Sequence, residues 1–218
     1  MKKFELTSEF ITNVFGVKLF RIRALVEFGN VCKGELGGYV EKEENLDHDG
    51  DAWVYGNAWV YGNARVSGDA RVSGDAWVYG DARVYGNAWV YGNARVYGNA
   101  WVYGNARVYG YAWVYGDARV YGDARVSGDA WVYGDARVYG NAEVSGDADY
   151  ATVKGFGRHN RNTTFFRCKD GKVRVVCGCF FGDMEEFRAI VKRTHGGGKL
   201  AKEYLAIADL MEMHFCEE

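Results

Sequence analysis

The residues best equipped for chemistry stand at the two ends of this 218-residue chain and leave its middle almost bare. Its four histidines are His48, His159, His195 and His214, so none lies between Asp49 and Arg158. An imidazole general base would therefore come from His48 or His159, the two that flank the middle. Three of the five cysteines, Cys168, Cys177 and Cys179, lie toward the C-terminus. On a strand, Cys177 and Cys179 point to the same side, yet a closed zinc site needs four ligands, commonly with Cys-X2–4-Cys spacing. His195 or His214 would have to complete it, and small buried thiols fit the pattern better. A nucleophilic thiolate needs a base that the sequence does not identify. Gly196-Gly197-Gly198-Lys199 lacks the frame of a phosphate loop and reads as a link between helices. These patterns yield no catalytic residue, no metal site and no cofactor.

The middle holds a different resource, aromatic rings and guanidinium groups at fixed intervals. Seventeen glycines, Gly50 to Gly146, recur every six residues and frame Gly-Asp/Asn-Ala-Trp/Arg-Val-Tyr/Ser. A strict short period marks units that bury surface only by stacking on their neighbours. Valine holds one slot sixteen times, Val54 to Val144, with alanine two residues earlier. Two residues is the strand period, so both face one side. The slot between them is Trp at 53, 59, 77, 89, 101, 113 and 131, Arg at eight other places, and once Glu143. An unpaired buried charge is too costly, so this slot and the Tyr/Ser slot after valine face outward over a core of Val and Ala. Glycine supplies the positive φ of a corner and Asp or Asn is the next most tolerant residue. The corner side chains are expected to hydrogen-bond the turn backbone, and the calcium-binding nonapeptide pattern is absent. So thin a core suits three hexads per turn.

With Val54 as the inward aliphatic residue and Ala58 as the small one, Val54-Tyr55-Gly56-Asn57-Ala58-Trp59 resembles the repeat of the hexapeptide-repeat, left-handed parallel β-helix proteins. The resemblance spans residues ~36–155. Tyrosine stands where that family usually has a small or acidic residue, which brings the chain closer to the bacterial and phage polymer-forming solenoids than to the acyltransferases. The implied fold is mainly β: a left-handed parallel β-helix of about five to six triangular coils, roughly 25 Å long at ~4.8 Å per coil. An N-terminal cap and a small C-terminal α+β module complete it. The left hand departs from the usual right-handed crossover and comes from the resemblance alone. The family's acyltransferases use a histidine, often near a projecting loop, and set substrate between the prisms of a trimer. The array here has neither histidine nor loop, so no enzymatic activity is expected. An acyltransferase-like enzyme using His48 or His159 is the rival reading.

Eighteen residues per coil would align the outward side chains in columns. One reads Trp59, Trp77, Arg95, Trp113, Trp131; a second reads Arg65, Arg83, Trp101, Arg119, Arg137; Tyr61, Tyr79, Tyr97, Tyr115 and Tyr133 form a third. Stacking within such columns stabilises the ladder by about 0.5–1 kcal/mol per pair. Seven Trp and twelve repeat Tyr nevertheless exceed what a monomer normally shows to water, and aromatic surface rimmed by Arg is typical of interfaces. The expected function is that of a non-enzymatic β-solenoid binding or scaffold protein of phage or prophage type, acting through these faces and the C-terminal module. Self-association as a dimer or trimer comes first among its partners. A host protein to be blocked or sequestered follows from the resemblance. A nucleotide or nucleic acid with bases stacked on Trp59, Trp77, Trp113 and Trp131 is a third reading. Eight Arg against eleven Asp and Glu between 51 and 150 disfavour long nucleic acid.

The ends are read as an N-terminal β cap (1–49), the solenoid (50–155) and a ββαα module (156–218). Val17–Leu25 alternates as a strand. Leu36-Gly37-Gly38-Tyr39-Val40 and Leu46 form an irregular first turn, followed by a two-residue insertion before Val54. A cap is needed because a bare solenoid end is an unpaired sheet edge. Thr163–Cys168 and Lys172–Phe181 read as strands around the turn Lys169-Asp170-Gly171. Asp183 reads as the N-cap of a first helix, with an acidic residue three later, and a second helix runs from about Lys199 to Met213. The absence of proline fits a chain of hydrogen-bonded strands. An odd number of cysteines and a start without an apolar leader core point to a reducing cytoplasm. No apolar stretch approaches the roughly 20 residues of a membrane helix, which points to no membrane, and a net charge of −2 implies no particular partner.

Overall fold

The computed structural model describes residues 1–216. Three strands open it, β1 (Phe4–Thr12), β2 (Lys18–Ala24) and β3 (Leu36–Val40). Sixteen two-residue strands follow, β4 (Trp53–Val54) to β19 (Glu143–Val144), one per hexad. They stack as three parallel ladders in the orders β5-β8-β11-β14-β17, β6-β9-β12-β15-β18 and β4-β7-β10-β13-β16-β19. Partners differ by eighteen residues, as in Trp77↔Trp59 and Arg107↔Trp89. The array is therefore a parallel β-solenoid of about six turns, three strands to the turn. The two-residue insertion is visible in the register: Val40 pairs with Val60 and Leu46 with Val66, whereas Val54 pairs with Val72.

Every array valine and alanine from Ala52 to Val144 is fully buried. These side chains form one continuous core, identical residues stacking from coil to coil. The corner needs glycine for two reasons. Gly92 has φ +71°, and a Cβ there would lie 3.1 Å from the Gly110 nitrogen of the next coil. Only glycine takes the positive φ at the corners. The Asp and Asn beside it bond chiefly to one another, coil to coil, and not to their own turn as expected. Asn63 donates to Asp81 at 3.1 Å, Asn99 to Asp117 at 3.0 Å and Asn105 to Asp123 at 2.9 Å. A column of Asp alone would repel itself, and Asn supplies the donor that relieves it.

The ladder has a direction, and its two ends are finished by opposite chemistry. Each coil's N–H groups donate to carbonyls of the next, as in Trp59 N to Ala76 O at 2.9 Å. The first coil is thus left with free carbonyls and the last with free N–H groups. Donors close the first end. Main-chain N–H groups of Tyr39, Glu41 and Asp47 reach Ala58, Val60 and Val66. The Asn45 amide bonds the Gly62 and Ala64 carbonyls at 3.1 and 2.8 Å. Buried Lys3 bonds those of Gly50 and Ala52 at 3.1 and 3.0 Å, and burial lowers its pKa despite four nearby aspartates. Acceptors close the other end: Asp147 takes the Trp131 N–H at 3.0 Å, Thr164 that of Arg137 at 3.2 Å, and Asp149 that of Ser145 at 2.8 Å. These end groups, which a bare sheet edge would leave unpaired, are thereby met within the chain.

The C-terminal module departs from two strands plus two helices. It is a four-stranded antiparallel sheet, β20 (Tyr150–Phe156), β21 (Arg161–Arg167), β22 (Val173–Cys177) and β23 (Phe180–Asp183), followed by α1 (Met184–His195) and α2 (Lys199–Phe215). The run Lys172–Phe181 is broken by a turn at Gly178, whose φ is +63°. β20 lies within the residues assigned to the array, because its valine and tyrosine continue the repeat composition while pairing antiparallel with β21. Asp183 caps α1, accepting the Glu186 N–H at 2.9 Å while Glu186 accepts that of Asp183. Phe165, Phe187, Ala208, Met211 and Phe215 make a second core. Among the described residues no helix is long and apolar enough to cross a membrane.

Candidate binding faces

Each ladder carries one column of Trp and Arg on its outer side, because the residue before valine alternates outward. The β5-to-β17 ladder brings together Trp59, Trp77, Arg95, Trp113 and Trp131, here the tryptophan face. The β6-to-β18 ladder brings together Arg65, Arg83, Trp101, Arg119 and Arg137, the arginine face. A third column, Trp53, Arg71, Trp89, Arg107, Arg125 and Glu143, was legible in the same spacing but was not singled out as a site. Tyrosines form the matching rows: Tyr61, Tyr79, Tyr97, Tyr115 and Tyr133 stack at 4.9–5.4 Å. A second row, Tyr85, Tyr103, Tyr121 and Tyr139, stacks at 4.6–4.9 Å.

Within these columns guanidinium planes and rings are interleaved. Arg95 lies between Trp77 and Trp113, its guanidinium 4.5 and 4.9 Å from their ring centres. Trp101 lies between Arg83 and Arg119 at 5.1 and 4.9 Å, and Trp89 between Arg71 and Arg107 at 5.3 and 5.6 Å. Trp59 and Trp77 stack at 4.7 Å. These spacings leave no room for another ring between neighbours, so the interior of each column offers ring edges and guanidinium N–H groups to a partner. Inserting a base between Trp59 and Trp77 would require roughly 7 Å between the rings, twice the aromatic contact distance. Trp131 differs. It ends its column on Trp113 at 5.2 Å, is 44% exposed, and borders a cavity of about 460 Å³ lined also by Tyr115, Tyr133, Asp147 and Tyr150.

Trp53 is not part of the outer surface. It is fully buried at the head of the third column, edge-on to Phe4 and Phe28 of the cap at 6.2 and 5.3 Å. The repeat pattern alone places it outside, and the non-repeating N-terminus covers it. Burial is the first cause of the raised pKa of Tyr61, Tyr79, Tyr97 and Tyr115 in the first row and of Tyr85, Tyr103, Tyr121 and Tyr139 in the second, Tyr61 and Tyr139 being pushed up to about 12. None of the described ion pairs within 4.0 Å includes an array arginine.

The histidines and cysteines sit at the ends of the rod. His48 stacks on Phe4 at 4.5 Å and its Nδ1 accepts the Lys3 N–H at 3.2 Å. In the neutral ring this leaves the proton on Nε2, which faces Glu43 at 3.9 Å. His48 also lines a cleft of about 650 Å³ with Arg65, Arg83, Tyr85 and Trp101. His159 is exposed at the far end of the molecule, near Arg161 and Cys179. Cys168 is buried, and burial pushes its thiol up to about 11. Cys177 accepts a hydrogen bond from the Thr163 hydroxyl at 3.3 Å, and Cys179 is exposed. Among the described residues no group of three His, Cys, Asp or Glu side chains is placed to hold a metal.

Ladders, polar end seals and outward columns together define a parallel β-solenoid repeat protein. The model of the YdcK beta solenoid repeat family matches it at residues 52–68, 64–80, 76–91, 88–104, 100–116 and 118–134. These matches fall on the array and not on the cap or the C-terminal module. A comparison with curated proteins finds no match.

Proposed function

We propose that the chain is a non-enzymatic binding scaffold of the cytoplasm, left-handed and triangular in section like the hexapeptide-repeat proteins it resembles. Its first partner is a second copy of itself, in a dimer or trimer. The observation that carries this reading is the tryptophan face, four indoles and one arginine in a row ending in exposed Trp131, beside which the tyrosine row ends in exposed Tyr133. A flat, rigid, mostly aromatic row matches a copy of itself side by side, and its burial would be driven by apolar area and little affected by salt. A phage-type role, blocking a host factor, uses the arginine face, where an acidic partner would bind with strong salt dependence. The rival acyltransferase reading is weakened at His48, whose accepting nitrogen is already occupied by Lys3.

Light scattering at two protein concentrations and two salt levels tests the reading. A dimer or trimer that persists in high salt and dissociates in Trp131→Glu supports it. A monomer at every concentration overturns self-association and leaves the faces to a host protein. The open face of Trp131 favours one further reading, a single nucleobase stacked there beside Tyr133 and Tyr150. Quenching of indole fluorescence by mononucleotides that is lost in Trp131→Ala would support it.

A further inference from the structure

The largely apolar recess in the C-terminal module is a site that neither the repeats nor their faces account for. It is a cavity of about 340 Å³ between the β20–β21 turn, the β22–β23 turn and the two helices. That volume is at the small end of ligand cavities. Its floor is aromatic: Phe187 meets Phe180 at 5.6 Å and Tyr204 edge-on at 6.0 Å, and both Phe187 and Tyr204 are buried. Burial, and after it the neighbouring Cys177 thiol, pushes the Tyr204 phenol up to about 12, so it remains a neutral hydrogen-bonding group at physiological pH.

The mouth carries the opposite character. Arg158 and Arg161 line it, both exposed, with His159 between them in sequence, and no carboxylate is among the lining residues. No described ion pair includes either arginine. The Arg161 guanidinium passes over Gly178, where a Cβ would lie 2.6 Å from its Nη1. Glycine at the turn therefore leaves the space that this arginine occupies at the cavity rim. A guanidinium pair above an aromatic floor recognises a planar apolar body bearing one anionic group, which the fork of an Arg binds bidentately.

We propose that the C-terminal module binds a small aromatic carboxylate, its ring against Phe180, Phe187 and Tyr204 and its carboxylate at Arg158 and Arg161. The site borders the end of the arginine face, since Arg161 also lines an adjoining cavity with Arg137, but it does not include the tryptophan face and stands whether or not that face self-associates.

The full chain is titrated by calorimetry with 2-naphthoate as the probe and 2-naphthalenemethanol as its neutral counterpart. The expected result is one saturable site for the anion, weakened roughly tenfold or more in Arg161→Met and in Arg158→Met, as loss of a charge-assisted pair implies. The neutral probe should bind weakly and equally to the wild type and both variants. Ile190→Trp, which narrows the cavity, should remove binding of both probes while the helical circular dichroism is retained. Trp131→Ala should leave naphthoate binding unchanged. Equal affinity for acid and alcohol, an affinity untouched by both arginine variants, or no binding by the wild type would overturn the proposal.

Discussion

The solenoid and the C-terminal module bury their apolar groups in opposite ways, and the difference decides where each can work. In the array every core position is Val or Ala, repeated at eighteen residues, and all are sealed. With these side chains sealed, the outer faces and the ends of the array are what it offers for contact. In the module, Phe165, Phe187, Tyr204, Met211 and Phe215 differ in size and come from non-equivalent elements. Unequal side chains from sheet and helices leave a recess that a periodic core does not. The recesses that involve the array lie at its two ends, beside the cap and the last coil, whereas irregular packing leaves one within the module itself.

The largest test of the contrast is alkali. Tyr61, Tyr79, Tyr85, Tyr97, Tyr103, Tyr115, Tyr121 and Tyr139 of the array have pKa values raised above 10 by burial, to about 12 at Tyr61 and Tyr139. A group whose folded pKa is raised contributes stability that is whole below its unfolded pKa and is lost as pH rises through its folded one. Stability of the array should therefore hold up to about pH 9–10 and fall steeply from there toward pH 12, many tyrosines acting together. Absorbance of tyrosinate at 295 nm, followed beside circular dichroism, checks this. Ionisation at the unfolded pKa with the fold intact would contradict it.

Phe187→Ala probes the irregular core. Loss of a buried aromatic costs about 3–5 kcal/mol, enough to melt the helices of so small a module while the β-signal of the array survives. A single transition abolishing both signals would show the two regions to be one cooperative unit. Gly92→Ala probes the periodic backbone instead. The left-handed φ costs roughly 1–2 kcal/mol for an L-residue, and the clash with Gly110 adds to it. Urea unfolding should show a loss of about 2 kcal/mol or more.

Smaller effects sharpen the roles of surface groups. Arg95→Ala removes two guanidinium–indole contacts and should cost about 1–2 kcal/mol with a red shift of indole emission. Stability unchanged within error would mean that the column is kept for a partner and not for the ladder. Asp183→Ala removes the cap of α1 and should cost about 1 kcal/mol, visible in the module's own transition and not in that of the array.

Much of the array was legible beforehand because its information is local and repeated. Valine every six residues, the outward slot that accepts Trp or Arg, and the eighteen-residue columns all follow from strand alternation and a thin core. The corner was misjudged in detail: nothing in one hexad reveals that Asn57 will meet Asp75 of the next coil, at 3.4 Å, in preference to its own turn. Trp53 was misplaced for a related reason, since the residues that bury it, Phe4 and Phe28, are far from it in sequence and obey no repeat. β20 was missed because its partner, β21, follows a composition change that masks the strand's own signal.

By itself the sequence determined the repeating unit, its inside and outside, and the residues that share a column, because an i, i+18 contact is a consequence of period alone. Only the tertiary structure decided what lies at the ends: that Lys3 and Asn45 supply donors to open carbonyls, that Asp147 and Thr164 supply acceptors to open N–H groups, and that Arg161 overhangs Phe187 and Tyr204 in one recess. Those contacts join segments with no common period, so their partners are set by where the chain folds back and not by any spacing written along it.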